Sequence, residues 1–287
     1  MNDPFEKLVE IIKKTKIDCK FTLVDIGALP IGNSKPRFHK ILEYFPSSEI
    51  IGFEIEKEAC DQMNSKAPKG IKYFPFALGE NNEKRKLYVT QDPMCNSLYK
   101  PNEEFLRLYH ELQYMYLKKE TEIETITLDT FVDRYSINKI DFIKIDVQGA
   151  ELDIFKGSKK LLSKVLKIVC EVEFVPLYQE QPLFGDISKF LSQYNFMFNK
   201  FLGLSGRTLK PLIANKDKTI GSQHMWTDAI FIQNINKIQN HSDENLLKLS
   251  VLAAIYNSLD LTFFYLSLYD RRNSSTLATD WMNNSNG

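Results

Sequence analysis

The amino-acid sequence predicts an α/β fold in which a mainly parallel sheet carries helices on both faces. Short apolar runs, which are typical of buried strands, alternate along the chain with segments of helical periodicity. Two of these runs end in an acidic residue, at Asp25 and at Glu54, and Gly27 closely follows the first. Open sheets of this class bind ligands outside the carboxyl ends of their strands, where such residues lie.

In the first half of the chain, predicted helices and strands alternate. An amphipathic helix over residues 5–16 comes first, and a helix that begins near Pro36 joins the first two strands. Residues 103–116 are rich in tyrosine and are expected either to form a lid over the crevice or simply to pack. The predicted strands of this half are residues 21–26, 50–55, 71–79 and 86–90, and a further helix covers residues 57–65.

The second half continues the alternation and then changes to helices alone. Thr127 is the predicted N-cap of a helix. We expect three units along the chain, namely an N-terminal helix, a core domain and a C-terminal helical extension of two helices with a frayed end. The predicted strands of this half are residues 140–146, 165–174, 196–201 and 228–232, of which the last two form an antiparallel pair, and the predicted helices are residues 150–162 and 187–194. The three units are residues 1–20, 21–235 and 236–287, and the end is expected to be frayed from residue 273.

The composition argues against several classes of partner. Lys plus Arg and Asp plus Glu number 37 each, so neither nucleic acid nor an anionic membrane is expected. The apolar-leaning stretch 249–269 is interrupted by Asp260, which predicts packed helix rather than a membrane span. The four cysteines lack metal-site spacing, and the start lacks a basic-then-apolar signal. Both observations favour a cytoplasmic protein with reduced thiols.

The first two strand ends predict a site for a nucleoside. Glu54, at the end of the second strand, is expected to accept hydrogen bonds from ribose hydroxyls. A dinucleotide turn needs three glycines, but Leu29 occupies the middle position between Gly27 and Gly32, where it would obstruct a pyrophosphate. S-adenosylmethionine (SAM) is an adenosine derivative without phosphate. The pattern therefore favours a methyltransferase over a dehydrogenase.

Other residues near these strand ends are expected to complete the cofactor site. Gly27, followed by Ala28, allows the backbone to turn sharply where the cofactor passes. Asp25 either contacts the SAM amino group, directly or through water, or stabilises the glycine turn. Ala77 and Leu78 are expected to lie against the adenine, with plain core packing as the alternative.

Three residues further along the chain are candidates for chemistry at the acceptor. Asp146 is expected to hold the substrate hydroxyl or the charged end of the cofactor, with helix capping as the alternative. Glu171 shares one face of its strand with Glu173, and it is a candidate general base. A divalent cation could bind through Asp146 and Glu171, but the sequence does not predict a metal. His224 precedes the last strand and could take a proton, with a structural or exposed histidine as the alternative.

These segments together resemble the FkbM family of SAM-dependent methyltransferases. The resemblance implies a seven-stranded, Rossmann-like class I methyltransferase sheet and O-methylation of a hydroxyl on a sugar, glycan or natural product. By matching position it also implies cofactor roles for Asp25, Gly27 and Glu54 and a site role for Asp146, while Leu29-Pro30 departs from the family pattern. The matching segments are 24–28, 52–54, 76–79, 142–151, 171–178, 181–184 and 226–229, of which Lys-Ile-Asp-Val-Gln-Gly-Ala-Glu at 144–151 is the most specific.

Two other functions remain open at this point. One is a nucleoside-binding oxidoreductase that uses NAD, against which Leu29 counts. The other is a non-catalytic module that keeps the fold and binds a partner through its helical tail. A homo-oligomer formed through the C-terminal helices is a further expectation.

Overall fold

The computed structural model describes residues 4–28, 35–213, 216–219 and 221–285. Its strands, in chain order, are β1 (Thr22–Ile26), β2 (Glu49–Phe53), β3 (Ile71–Phe74), β4 (Ala77–Leu78), β5 (Glu83–Thr90), β6 (Leu117–Ile126), β7 (Phe142–Ile145), β8 (Lys167–Glu173), β9 (Phe196–Phe201), β10 (Ser205–Gly206) and β11 (His224–Gln233). Its α-helices are α1 (Pro4–Lys13), α2 (Lys40–Tyr44), α3 (Lys57–Lys66), α4 (Glu103–Leu106), α5 (Leu128–Arg134), α6 (Glu151–Lys156), α7 (Lys159–Leu162), α8 (Phe184–Gln193), α9 (Asp243–Ile255), α10 (Leu259–Asn273) and α11 (Leu277–Ser285). Short 3-10 helices lie at Arg37–His39, Pro93–Cys95, Gln113–Met115 and Ile235–Asn240.

One central sheet positions the strand ends that the sequence singles out. Its strand order is β10-β11-β8-β7-β1-β2-β3, and β9 also pairs with β11. The strands from β3 to β8 in this order are parallel, whereas β11 is antiparallel to β8 and to β9. Because β8 occupies one edge of β11, β9 and the two-residue β10 share the other edge. The predicted mainly parallel sheet is therefore confirmed, but it has eight strands rather than seven, because its last position is divided between β9 and β10.

Helices cover both faces of this sheet. Val24 and Ile143 project into a core that includes residues of α5, α6, α7 and α8. Leu23 and Phe142, their neighbours in β1 and β7, project into the opposite core with α1, α9, α10 and α11. Both sides of β1 and β7 are thus buried, which explains why these two strands appear in the sequence as apolar runs.

The predicted third strand, residues 71–79, is in fact two strands in different sheets. β3 ends at Phe74, and Pro75 follows, whose missing N–H cannot continue a ladder. β4 instead pairs with β6 in a second sheet of order β4-β6-β5. The sequence pattern does not predict β6, because six of its ten side chains are exposed to solvent and five of these are charged.

The tyrosine-rich segment 103–116 packs more closely than a simple lid. Only its first four residues are α-helical, as α4. Leu106, Tyr109 and Leu112 of this segment are buried in a cluster that also contains Tyr178 and Met225. The segment therefore belongs to a third, smaller core.

The predicted helix over residues 150–162 is interrupted at Gly157, which separates α6 from α7. A Cβ atom at Gly157 would overlap the backbone oxygen of Gly79. The break therefore lies where the helical layer contacts the backbone just after β4, a tertiary contact that periodicity cannot reveal.

The two ends of the described chain form one helical layer. α1 packs against α9 and α11, and the indole Nε1 of Trp281 donates a hydrogen bond to the backbone oxygen of Pro4 at 3.0 Å. The extension has three helices rather than the predicted two, and the predicted fraying from residue 273 is wrong up to Ser285, because Trp281 anchors α11 in the core. None of the helices in the described residues has the length and apolar character needed to cross a membrane.

Candidate functional site

A cavity of about 280 Å³ lies at the carboxyl ends of β1, β2 and β7. Its far wall comes from the second sheet and from the turn after β5. The volume is near the lower end of the range for small-molecule sites, about 300–1,000 Å³. The described residues that line the cavity are Ile26, Gly27, Phe53, Glu54, Ile55, Glu56, Ala59, Phe76, Ala77, Leu78, Leu87, Pro93, Met94, Asn96, Ser97, Leu98, Ile123, Lys144, Asp146, Val147, Gln148 and Ala150.

Gly27 forms the turn at the end of β1 in the way that the sequence predicts. Its φ is +77°, a left-handed conformation that glycine adopts at little cost. A Cβ atom here would overlap the backbone oxygen of Asp146. Gly27 therefore lets the ends of β1 and β7 approach each other beside the cavity.

Glu54 is a buried carboxylate in the cavity wall, directly after β2. Its Oε1 accepts a hydrogen bond from the backbone N–H of Glu56 at 2.9 Å, which fixes the direction of the side chain. Burial raises the pKa of this carboxyl above its usual value. The predicted adenine contacts, Ala77 and Leu78, lie in the same wall and belong to β4.

Asp25 and Ala28 lie beside the cavity rather than among the described residues that line it. Ala28 is buried, and its N–H donates a hydrogen bond to the backbone oxygen of Phe53 at 3.2 Å, which ties the turn to β2. Asp25 is buried next to Lys144 in the register of β1 and β7. Burial raises the pKa of Asp25 to about 6, and this effect outweighs the opposing effect of the positive charge on Lys144. Residues 29, 30 and 32, which carry the argument against a pyrophosphate, fall outside the described residues.

The loop after β7 brings Asp146 and Glu171 together through Gln148. The Gln148 Nε2 donates to Asp146 Oδ1 at 2.9 Å and to Glu171 Oε2 at 2.6 Å. Gln148 has a φ of +59° and is followed by Gly149 at +97°, so two successive left-handed residues shape this loop. The other oxygen of Asp146, Oδ2, accepts a hydrogen bond from Lys144 Nζ at 3.2 Å.

Acidic groups outnumber basic ones around this loop. Burial opposes ionisation of Asp146, but Lys144 and hydrogen bonds from Glu171 and Gln148 hold its pKa below the usual value. Burial, with Asp146 and Glu173 nearby, holds the pKa of Glu171 well above its usual value. Burial likewise raises the pKa of Glu151 to about 7.

The structure does not bring His224 to the cavity. It is exposed at the beginning of β11, opposite Gly206 of β10. It is not among the described residues that line the cavity, so its position lends no support to the predicted role in catalysis.

Sequence reasoning assigns no role to Lys144 and Gln148, although both lie in the most specific motif. Lys144 is the polar interruption in an otherwise apolar strand, two residues before Asp146 and therefore on the same face. That interruption is a signal from which its place at the site could have been predicted. The contacts of Gln148 depend on the left-handed loop, for which the sequence offers only Gly149 as a hint.

Comparison with known proteins matches the part of the chain that contains Asp25, Glu54, Asp146 and Glu171. The family model described as the methyltransferase FkbM domain matches residues 25–198, more than half of the chain. The chain is 23% identical over 196 residues to the 2-O-methyltransferase NoeI of Sinorhizobium fredii, which covers 65% of this chain and 77% of that protein.

Two solved structures also match, at low identity. One is an uncharacterized protein from Listeria monocytogenes serotype 4b, with 11% identity, 98% of this chain and 99% of that chain covered, and a TM-score of 0.37. The other is a SAM dependent methyltransferase from Aquifex aeolicus, with 10% identity, 79% and 91% covered, and a TM-score of 0.30. These TM-scores are too low to carry an argument, whereas the family model spans the whole candidate site. The chain belongs to the FkbM methyltransferase family.

Proposed function

We propose that this protein is a SAM-dependent methyltransferase that transfers the methyl group to a hydroxyl oxygen of a sugar, glycan or natural product. The observation that carries this proposal is the charge of the cavity. Its described lining contains three carboxylates, Glu54, Glu56 and Asp146, and a single basic residue, Lys144, which is paired with Asp146. Such a wall suits a sulfonium cation without phosphates and disfavours the diphosphate of NAD.

The residues present fit SAM along the whole length of the cavity. The buried carboxylate of Glu54 in the cavity wall would accept hydrogen bonds from the ribose hydroxyls. The apolar wall that contains Ala77 and Leu78 would hold the adenine. Gly27 and Lys144 lie at the end near Asp146, where the amino-acid part of SAM would be held.

Methyl transfer from SAM needs little from the protein beyond placement. SAM supplies a methyl group that is already activated on a sulfonium, so the acceptor oxygen must be held in line with it. We assign Asp146, which lines the cavity, to hold the acceptor hydroxyl and to receive its proton. Glu171 is not among the described residues that line the cavity, and we assign it to support Asp146 through the Gln148 bridge. Neither role requires His224.

An oxygen acceptor is supported by the similarity to the relative from Sinorhizobium fredii, which is a 2-O-methyltransferase. The segment that includes Met94 and Asn96 lines the cavity opposite the strand ends. We expect this segment and the loop 203–225 to choose the acceptor.

The test combines binding with turnover. SAM at about 100 times its Kd should stabilise the protein by about 2.7 kcal/mol, and NAD should have no effect. Glu54→Gln should weaken SAM binding, whereas Asp146→Asn and Glu171→Gln should lower transfer of a labelled methyl group to glycans and small metabolites. The absence of a SAM shift in the wild type would contradict the cofactor, and SAM binding without transfer to any oxygen acceptor would favour a non-catalytic module.

A further inference from the structure

Three carboxylates, those of Asp146, Glu151 and Glu171, lie close together beside the loop that follows β7. Asp146, Glu151 and Glu171 each have an oxygen within 4.8 Å of an oxygen of the other two. Two oxygens bound to the same calcium ion, at about 2.3–2.6 Å each, can be no more than about 5 Å apart. The spacing therefore matches the coordination sphere of one cation.

Glu151 supplies an independent sign that this cluster binds a ligand. The residue is 1% exposed, and its Oε1 accepts a hydrogen bond from the backbone N–H of Val147 at 2.8 Å. Its Oε2 is buried and has no hydrogen-bond partner among the described residues. A buried carboxylate oxygen without a partner is costly, and a cation bound between the three side chains would remove that cost.

The hydrogen bonds of Tyr178 show how a fourth ligand would arise. The Tyr178 hydroxyl has one hydrogen, yet it lies 3.0 Å from two acceptors, the backbone oxygen of Cys95 and Oε1 of Gln148. Rotating the Gln148 amide by half a turn would let Nε2 donate to Tyr178, and the tyrosine could then donate to Cys95 alone. The same rotation turns Oε1 toward Asp146 and Glu171, a direction that becomes favourable when a cation lies between the three side chains.

We propose that Asp146, Glu151 and Glu171 bind a hard divalent cation, with the rotated amide of Gln148 as a fourth ligand. The donor set consists of oxygens alone, without a thiolate or an imidazole, and this favours Mg²⁺, Mn²⁺ or Ca²⁺ over zinc or copper. Binding of the cation does not depend on the proposed function. Its use rests on that function, because the cation would lie beside the cavity and polarise the acceptor hydroxyl.

Titration of the cofactor-free protein with Mn²⁺, followed by electron paramagnetic resonance at constant ionic strength, tests the site directly. We expect one saturable Mn²⁺ site per chain, from which Mg²⁺ or Ca²⁺ displaces the probe. Since neither SAM nor an acceptor is present, the result is independent of whether the protein is a methyltransferase. Lack of saturable binding in the folded wild type overturns the proposal.

Variants identify the ligands. Glu171→Gln should weaken Mn²⁺ binding at least about tenfold. Even a residue that only hydrogen-bonds to a metal ligand usually causes a loss of about this size when it is replaced, and a direct ligand should cause more. The matched control is Glu173→Gln, a buried carboxylate two residues along the same strand that is outside the ligand set, and it should retain the Mn²⁺ site. Gln148→Glu adds a fourth carboxylate and should tighten binding. Equal Mn²⁺ affinity in wild type, Glu171→Gln and Gln148→Glu would refute the site.

Discussion

The ammonium of Lys248 lies 3.0 Å from Oδ2 of Asp141, and both side chains are almost completely buried, at 3% and 2% exposure. Asp141 precedes β7, and the same Oδ2 accepts a hydrogen bond from the backbone N–H of Thr22 in β1 at 3.1 Å. Lys248 belongs to α9, outside the segment that the family model matches. The pair therefore ties the C-terminal helices to the two strands that carry the candidate site.

Breaking this pair should be costly. We expect Lys248→Met to reduce the free energy of unfolding by about 1–3 kcal/mol, because the buried Oδ2 of Asp141 loses the ammonium bound to it, while Lys139 still pairs with Oδ1 at 3.0 Å. Urea denaturation provides the measurement. The exposed pair Lys160–Asp133, with 76% and 68% exposure, is the control, and Lys160→Met should cost less than about 1 kcal/mol. Similar losses in both variants would contradict the anchoring role.

Trp281 should stabilise the whole protein rather than only its last helix. Its side chain is fully buried against α1, so Trp281→Ala should cost about 3–5 kcal/mol. Met282, the next residue, is exposed, and Met282→Ala should be nearly neutral. Thermal unfolding followed by circular dichroism compares the two, and a frayed α11 would make them equivalent.

Gly27 should not tolerate a side chain. Gly27→Ala combines a positive φ with overlap on the backbone of Asp146, so we expect loss of SAM binding and about 1–3 kcal/mol or more of destabilisation. Gly185 in α8 has open space around its Cβ position, and Gly185→Ala should be neutral or stabilising. Calorimetric SAM titration and urea denaturation test both, and normal SAM affinity in Gly27→Ala would disprove the tight turn.

The stability of the protein should decrease as the pH rises through the pKa of Asp25. Burial raises the pKa of this carboxyl from 3.8 to about 6, so its contribution is fully present below pH 3.8 and is lost as the pH passes about 6. Two pKa units correspond to about 3 kcal/mol. Asp25→Asn cannot ionise, so its free energy of unfolding, measured by urea from about pH 4 to 7, should lack this decrease. Parallel curves for wild type and variant would exclude Asp25 as the cause.

The sequence predicts those parts of the fold that have a strong local signal. The parallel strands appear as apolar runs because both of their faces are buried, and Gly27 and Glu54 mark the ends of two of them. β6 has no such signal, since its charged side chains form an exposed ribbon. The bridge from Gln148 to Asp146 and Glu171 depends on left-handed backbone and on a contact between two distant strands. The spacing of residues along the chain predicts neither the left-handed backbone nor the contact between the two strands.

The hydrogen bond from Trp281 to Pro4 joins residues 277 positions apart. On the ribosome, such a contact can form only after Trp281 has been synthesised, long after Pro4. Until then, the apolar side of α1 and the strand face beneath it lack their final cover. During translation, this apolar face is therefore open to aggregation until α11 has been made.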